Sequence, residues 1–374
     1  MKGENMETVK ESINLKDFDL SLHNYEEGLC VSITGYHGKE SLVTVPGYVK
    51  DLQIKEIDIE AFKGNNKIKK ITIEKGITVI SFSAFEDCKE LTEVELPDGL
   101  LEIDFKAFKE CKKLAKIKFP ESIFRIDYYD AFHNCGNLKS IFIPKNVSEL
   151  DNFEGCIKLK EIIVDDENIE YSSIDGVLYN EAKTILIKYP EGKKGAKFTI
   201  PDTVNIIDWS AFGYWNNKLV TVTLPAKLSY FRAYTFSGCL KLKQVIINDE
   251  NLRFKTEEGV LFDKELKALV FYPYAKGGTK YAIPDGIENI NKGAFYNCGN
   301  LKEVTFPESL KYIKRGAFEK CKNIASITLP AQLKGIYEDA FFGCKKLKKV
   351  TLSRKTRVGK GAFYGAAPEF AYID

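Results

Sequence analysis

One pattern of apolar and polar positions repeats along almost the whole chain. A single turn of this pattern reads A-F-x-x-C-x-x-L-x-x-V-x-L-P-x-x-L-x-x-I, and its phenylalanine recurs eleven times. The recurring residues are Phe62, Phe85, Phe108, Phe132, Phe153, Phe212, Phe236, Phe295, Phe318, Phe341 and Phe363. Most steps between them are 21 to 24 residues long, and two are 59. A leucine-containing period of this length predicts a solenoid, in which stacked turns share one continuous core.

The spacing of apolar residues within one turn predicts the elements of that turn. In "LKEVTF", Leu301 to Phe306, the last apolar residues alternate with polar ones, as in a strand with one buried face. Stacked turns would pair such strands in parallel. The proline that commonly follows would end each strand, because it has no N–H to donate. After the proline the apolar residues are spaced by three or four, which favours a 3₁₀ or short helical segment on the outer side.

The two long steps contain duplicated segments at an offset of 83 residues. Each segment holds D-E-N, then G-V-L-[YF], a polar turn, an apolar run and Y-P. This order predicts a β-hairpin with a loop of four or five residues, inserted at about 171–190 and again at about 254–273. We expect residues 1–27 to form an N-terminal extension. Residues 28–374 are expected to form a single solenoid, with an N-terminal β cap over 28–50.

Composition and charge exclude several classes of protein. The chain has 55 basic and 53 acidic residues, so its net charge of +2 gives no overall attraction to nucleic acid or to an anionic membrane. It has no apolar run long enough to span a membrane. The N-terminal "MKGENMETVKESINLKDF" lacks the apolar segment of a signal peptide. The sequence therefore predicts either a protein that stays inside the cell or a chain that begins after a removed signal.

Most of the nine cysteines occupy one position of the repeat, three residues after the recurring phenylalanine. They are Cys88, Cys111, Cys135, Cys156, Cys239, Cys298, Cys321 and Cys344. Zinc sites need paired ligands that converge, whereas these cysteines are each 20 or more residues apart. Stacked turns would bring their Cα atoms within disulfide range but would point their Cβ atoms the same way. We interpret them as buried free thiols, with no metal or cofactor.

The motif "HNC", His133 to Cys135, is the only pairing that invites a reading as a catalytic Cys–His couple. His133 falls at a repeat position that other turns fill with Glu86, Lys109 or Tyr296. Cys135 is one of the repeated cysteines. We therefore expect no catalytic residues and no enzymatic activity.

The repeat resembles the BspA-like leucine-rich-repeat family of bacterial and protozoan surface proteins. The resemblance rests on "GAFYNCGNLKEVTFPESLKYI", "YSSIDGVLYNEAKTILIKYP" and "CVSITGYHGKESLVTVPGYV", and covers roughly residues 28–365. It implies a curved solenoid with a sheet of short strands. The expected fold class is an α/β-type solenoid, a right-handed leucine-rich-repeat superhelix with short parallel strands, 3₁₀ or short helical segments and two β-hairpin insertions.

The same resemblance implies a function and a location. Members of the family act as adhesins or as binding modules for host proteins and other cells. The first hypothesis is thus a non-enzymatic adhesion or protein-binding module at the cell surface or secreted, whose concave face contacts a host matrix or cell-surface protein. The alternative is an intracellular scaffold for protein interactions, in the cytoplasm, which the missing signal peptide and the free thiols favour.

One row of strand residues should face the concave side. The row consists of Thr72, Glu95, Lys118, Phe142, Ile163, Thr223, Ile246, Thr305, Thr328 and Thr351. Phe142 and Ile163, on adjacent turns, and Ile246 are its apolar members and our candidate protein-binding residues. Alternatively, the first hairpin folds over Phe142 and Ile163.

Basic residues are concentrated near the C-terminus. The segment from Lys345 to Lys360 contains eight of them and no acidic residue. The candidate binding residues there are Lys348, Lys349, Arg354 and Lys355. They could bind a polyanion or the acidic end of another molecule, or simply form a solvated surface.

Overall fold

A computed structural model describes the chain in five stretches, residues 15–25, 28–127, 129–213, 218–232 and 234–373. The chain divides into two compact units, called here unit 1, Met1–Lys193, and unit 2, Lys194–Asp374. Residues 1–14, 26 and 27 of the expected N-terminal extension lie outside the described stretches. Its remainder holds a 3₁₀ helix, Leu15–Asp17, and a strand, Phe18–Tyr25.

Unit 1 is built from short strands. They are β1 Phe18–Tyr25, β2 Gly28–Tyr36, β3 Leu42–Val45, β4 Tyr48–Val49, β5 Leu52–Ile57, β6 Lys70–Ile73, β7 Val79–Ile80, β8 Glu93–Glu95, β9 Glu102–Ile103, β10 Lys116–Lys118, β11 Arg125–Ile126, β12 Ser140–Ile143, β13 Glu161–Val164, β14 Tyr171–Ile174, β15 Val177–Asn180 and β16 Ile185–Lys188. The strands predicted from the apolar alternation form two parallel ladders, β3-β6-β8-β10 and β12-β13. A third parallel ladder, β2-β5-β7-β9-β11, has β1 paired antiparallel to β2 at its first edge.

The outer segments predicted as 3₁₀ or short helices are ladders of turns instead, so the α/β class was wrong. In the turn that leads to Phe85, N–H groups bond alternately to the residue three back and to the next turn of the solenoid. Ala84, Glu86 and Cys88 donate to Ser81, Ser83 and Phe85, whereas Ser83, Phe85 and Asp87 donate to Phe105, Ala107 and Lys109 at 2.8–3.0 Å. Ser83 and Asp87 take positive φ angles of 54° and 61°, which interrupt any helix. Hydrogen bonds between turns thus replace local helical ones.

The recurring phenylalanines form the centre of the core. In unit 1 the rings of Phe62, Phe85 and Phe108 stack at centroid distances of 4.9 and 5.1 Å. Phe132 and Phe153 continue the series at 5.2 and 5.9 Å. All five are buried, with Leu and Ile side chains of the strands around them. Each turn therefore buries its apolar face only because its neighbours are present, as expected of a repeat solenoid.

Both segments predicted as hairpin insertions contain three antiparallel strands rather than two. In unit 1, β14 pairs with β15 and β15 with β16, and residues 181–184 link the last two. This segment follows β13 closely, since Ile162 N–H donates to Gly176 O at 2.9 Å. Gly176 has a φ of +71°, and an added Cβ would lie 2.5 Å from Glu161 Cβ. Only glycine fits this approach without displacing β13.

Unit 2 repeats the same elements. Its strands are β17 Lys197–Thr199, β18 Ile206–Ile207, β19 Thr221–Leu224, β20 Gln244–Ile247, β21 Phe254–Glu257, β22 Val260–Asp263, β23 Ala268–Phe271, β24 Lys280–Ala282, β25 Asn289–Ile290, β26 Glu303–Thr305, β27 Tyr312–Ile313, β28 Ser326–Thr328, β29 Gly335–Ile336, β30 Lys349–Ser353, β31 Arg357–Val358 and β32 Glu369–Ile373. Antiparallel β21-β22-β23 continues into parallel β25-β27-β29-β31. The other ladders are β17-β19-β20, β24-β26 and β28-β30-β32.

A tyrosine fills the phenylalanine position in one turn of unit 2. Tyr272 N–H donates to Ala294 O at 2.8 Å, just as Phe295 N–H donates to Ala317 O at 2.7 Å. The rings of Tyr272 and Phe295 stack at 5.0 Å. The long step from Phe236 to Phe295 therefore contains an additional turn of the solenoid, which a search for phenylalanine alone does not count.

Candidate functional site

The predicted row of strand residues lies on one face of the sheet ladders in unit 1. Thr72 is opposite Glu95, and Glu95 is opposite Lys118. Phe142 is opposite Ile163 on the paired strands β12 and β13. The residues on either side of them, such as Ile141 and Ile143, point into the core. The alternation read from the sequence therefore assigned the faces of these strands correctly.

The first strands of this face carry charges that are already matched. Lys70 Nζ lies 3.3 Å from a carboxylate oxygen of Glu93 and 2.6 Å from one of Glu95. Lys116 Nζ lies 3.1 Å from Glu93. Hydrogen bonds from Lys116 and Lys70 hold the pKa of Glu93 below its usual range, and one from Lys70 does the same for Glu95. Exposed pairs of this kind contribute little to stability.

Phe142 and Ile163 form an exposed apolar pair beside this charged region. Phe142 is 40% exposed and Ile163 is 43% exposed. The first hairpin segment does not cover them, because it lies along the edge of β13. Its Gly176 O accepts from Ile162 N–H, and its Ser173 Oγ accepts from Val164 N–H at 3.2 Å. Of the two readings left open by the sequence, the structure supports the exposed one.

Ile246 lies in the corresponding row of unit 2. It is 43% exposed on β20, opposite Thr223 on β19. Further along the unit the row consists of threonines, with Thr328 opposite Thr351. Ile246 is therefore a single apolar residue in a polar row, whereas Phe142 and Ile163 are direct neighbours.

The four basic candidates are exposed at the two ends of β30. Lys348 and Lys349 stand at its start, and Arg354 and Lys355 follow its last residue. An extended chain rises about 3.3 Å per residue, so the two pairs are roughly 16 Å apart. The Arg354 guanidinium lies 4.5 Å from the ring centroid of Tyr372. Among the described residues, none of the four has a carboxylate within salt-bridge distance.

The repeated cysteines are free and buried, as predicted. Their Sγ atoms lie 3.0–3.7 Å from the carbonyl oxygen of the aromatic residue in the preceding turn, as seen for Cys88, Cys111, Cys135, Cys156, Cys298, Cys321 and Cys344. Burial raises the pKa of the Cys111, Cys135 and Cys321 thiols well above the usual range. A buried thiol that donates to a carbonyl is a packing group rather than a nucleophile.

The structure does not bring His133 and Cys135 together as a catalytic couple. His133 Nδ1 lies 3.3 Å from Asp130 Oδ1, and Cys135 Sγ lies 3.1 Å from Phe108 O. In the stretches that the structure describes, no group of three or more His, Cys, Asp and Glu residues is arranged to hold a metal ion. Those stretches also contain no helix with the length and hydrophobicity of a membrane span.

The repeat matches a known family over most of its length. The family is described as a BspA type leucine rich repeat region, and six copies match residues 55–178, 191–271 and 264–373. The chain belongs to this family. The resemblance seen in the repeated A-F-x-x-C turns is thereby confirmed. In this chain, one turn of the BspA-type repeat consists of a strand, a shorter strand and an outer series of turns.

Solved structures share the fold of this BspA-type chain. A leucine rich cell surface protein from Faecalibacterium prausnitzii is 22% identical, with a TM-score of 0.57, over 96% of this chain and 94% of its own. A leucine-rich repeat protein from Eubacterium ventriosum is also 22% identical, with a TM-score of 0.59, over 93% of this chain and 92% of its own. A comparison with curated proteins found no match.

A second apolar row of this BspA-type repeat was not predicted. The position three residues before the recurring phenylalanine holds Ile59, Phe82, Phe105 and Tyr129 in unit 1. Phe105 lies 5.4 Å from Phe82 and 6.2 Å from Tyr129, between ring centroids. In unit 2 the same position holds Trp209 and Ala233 in the first two turns, and charged residues in the last four, Lys292, Arg315, Glu338 and Lys360. Comparing this one position across all turns would have revealed the contrast.

Proposed function

We propose that this chain is a non-enzymatic protein-binding module and that Phe142 and Ile163 are the centre of its binding face. The observation that carries the proposal is their position as direct neighbours, both at least 40% exposed, in a row whose other unit 1 members are polar. Large exposed apolar side chains that are adjacent to one another commonly mark a contact site. Membership of the BspA-type family supports a role in protein interaction.

Burial of Phe142 and Ile163 by a partner would contribute more binding free energy than the ion pairs on the neighbouring strands. Complete burial of a large apolar side chain contributes roughly 1.5–3 kcal/mol, relative to leaving it exposed. An exposed ion pair such as Lys70 with Glu95 contributes about 0–1 kcal/mol. Affinity for a protein partner would therefore be concentrated at Phe142 and Ile163, while the charged strands beside them would set the orientation.

The location of the chain and the identity of its partner belong to the same proposal. Its fold relative from Faecalibacterium prausnitzii is described as a cell surface protein, which supports a cell-surface or secreted location. The partner would then be a matrix or cell-surface protein of a host, and the module an adhesin. An intracellular scaffold on the same fold is the alternative. Treatment of intact cells with protease separates the two. A protein on the cell surface is removed by the protease, whereas an intracellular protein is protected.

A pull-down tests the binding face directly. The purified chain and the double variant Phe142→Asp/Ile163→Asp are immobilised and probed with host matrix proteins and with an extract of cell-surface proteins. We expect the parent to retain a protein that the double variant releases. Ile59→Asp/Tyr129→Asp is the matched control, since it places the same two charges on exposed apolar positions of the same unit. Equal retention by parent and double variant would exclude this face.

A second candidate function uses the C-terminal basic residues. Lys348, Lys349, Arg354 and Lys355 lack carboxylate partners among the described residues, in contrast to the matched charges of unit 1. Unpaired positive charge of this kind attracts polyanions over a distance of several ångströms. We propose that these residues bind a polyanion.

A further inference from the structure

Three charged side chains of unit 1 lie within its core. Asp151 and Lys188 are fully buried, and Glu191 is 2% exposed. Lys188 Nζ is 3.4 Å from Glu191 Oε1. Charged groups are rarely buried to this extent, because the loss of hydration is costly unless the site compensates for it. We call these three residues the charged triad.

Within the charged triad, Glu191 bonds the end of the first hairpin segment to the turn that contains Asp151. Asp151 accepts from the backbone N–H groups of Phe132 at 2.5 Å and of Phe153 at 3.1 Å. Glu191 Oε1 accepts from Gly155 N–H at 3.1 Å. Lys188 ends β16, and Glu191 follows it by three residues. Asp151 therefore connects the turn of Phe132 to that of Phe153, and Glu191 connects the end of the first hairpin segment to Gly155. The charge of Lys188 acts to lower the pKa of Asp151.

The positive charge in this part of the core is outnumbered. Burial raises the pKa of Glu154 above its usual range. The charges of Glu191 and Asp130 act in the same direction, and those of Lys188 and His133 act against it. Glu191 Oε2 is buried without a hydrogen-bond partner among the described residues. Burial and, to a smaller extent, the charge of Asp151 raise the pKa of the Cys135 and Cys156 thiols well above the usual range. Further out, Lys109 Nζ pairs with Asp130 at 3.0 Å.

Burial is the main influence on Asp151. It raises the pKa of this carboxyl to about 7, although backbone hydrogen bonds and the charge of Lys188 act in the opposite direction. A carboxyl with a raised pKa keeps its proton in the folded chain at a pH where the opened chain releases it. The closed form is therefore favoured in acid, and this advantage is lost as the pH rises through the raised pKa.

Unit 2 contains an uncharged counterpart of the charged triad. At the offset of 83 residues, Asp151, Lys188 and Glu191 correspond to Tyr234, Phe271 and Tyr274. The rings of Phe271 and Tyr274 are 5.6 Å apart. Burial raises the pKa of Tyr234 to about 12, and that of Tyr274 also rises well above its usual value. These three positions of unit 2 therefore do not titrate near neutral pH.

We propose that the charged triad makes the first hairpin segment and the three residues after it, together 171–193, a pH-responsive element that is held closed in mild acid and opens more readily as the pH rises through neutral. The second hairpin segment and the three residues after it, together 254–276, lack this response because aromatic side chains take the place of the charges. Opening of the first segment would expose the edge of β13, since Gly176 O and Ser173 Oγ accept from its N–H groups.

Hydrogen exchange followed by mass spectrometry tests the proposal within one molecule. Peptides from both hairpin segments are compared at about pH 6 and about pH 8, after correction for the intrinsic exchange rate. A pKa of about 7 in the closed state predicts an increase of about tenfold in the opening equilibrium of the first segment between these values. The second segment should not change. Equal pH responses of the two segments would overturn the proposal.

Single substitutions connect the response to the charged triad. Asp151→Asn removes the titrating carboxyl, so the pH response of the first segment should disappear whatever its effect on stability. Lys188→Met leaves the carboxyls without their cation and should make the response steeper. Tyr234→Phe is the matched control in unit 2 and should alter neither segment's response. An unchanged response in Asp151→Asn would show that another group is responsible and would also overturn the proposal.

Discussion

At the scale of single residues, the main contact in this molecule is the stacking of one turn's phenylalanine ring on the phenylalanine ring of the next turn. Phe318 shows this contact in unit 2, with its ring 4.6 Å from Phe295 and 5.0 Å from Phe341. The three rings are nearly parallel, at interplanar angles of 8° and 2°. Cys321 completes the position by donating to the carbonyl of Phe295. Stability at this scale comes from packing between turns, not from bonds within one turn.

Truncating one ring should therefore destabilise the stack measurably. We expect Phe318→Ala to lower the free energy of unfolding by roughly 3–5 kcal/mol, because the cavity would lie between two rings that cannot close it. Denaturant unfolding of the variant and the parent gives the difference. Thr328→Ala, on an exposed position of the same unit, is the control and should change the value by less than about 0.5 kcal/mol. Equal midpoints for Phe318→Ala and the parent would contradict this placement.

At the scale of elements, the solenoid depends on close approaches between backbones. The outer turns use N–H groups that bond to the next turn, and the hairpin segments bring glycine against a neighbouring strand. Gly176 approaches Glu161 on β13, and Gly259 approaches Gln244 on β20 in the same manner, each with an added Cβ at 2.5 Å. The two insertions are therefore attached by equivalent contacts within their own units.

A pair of glycine substitutions separates steric contact from backbone strain. Gly64 and Gly176 have the same φ of +71°, but an added Cβ meets nothing within 4 Å at Gly64. Gly64→Ala should cost about 1–2 kcal/mol, the ordinary penalty for a left-handed residue. Gly176→Ala should cost more, because β13 must also move. Thermal melting of the two variants provides the comparison, and equal losses would argue against a tight contact at Gly176.

At the scale of the whole molecule, charge is balanced in sum but not in distribution. The net charge of +2 hides a C-terminal segment with eight basic residues and no acidic ones. In unit 1 many lysines are paired, as Lys113 is with Glu90 at 2.7 Å and Lys145 with Glu167 at 2.7 Å. A polyanion should therefore distinguish the C-terminal segment from the rest of the surface.

Heparin chromatography provides the measurement. The variant Lys348→Gln/Lys349→Gln/Arg354→Gln/Lys355→Gln has a net charge of +2 − 4 = −2. We expect it to elute at lower salt than the parent, because phosphate or sulfate contacts release bound counterions. Neutralising Lys70, Lys113, Lys116 and Lys145 gives a control of the same net charge. Identical elution of the two variants would mean that position does not matter and would rule out the proposed polyanion site.

Much of this fold could be predicted from the sequence because the same local pattern is repeated many times. The period, the phenylalanine positions and the buried cysteines each recur, so a packing solution that suits one turn suits all of them. The face of Phe142 and Ile163 followed from alternation alone. Membership of the BspA-type family could be recognised on the same residues.

The sequence alone determined the repeat, the strands that precede the prolines and the face that each of their side chains takes, because these depend on spacing within one turn. Tertiary structure decided what depends on contacts between turns. The partners of Phe85 and Asp87 N–H lie in the next turn, so spacing could not separate a helix from a turn ladder. The exposure of Phe142 depends on where the first hairpin segment lies. The charged triad of Asp151, Lys188 and Glu191 forms only when chain segments nearly forty residues apart become neighbours in the core.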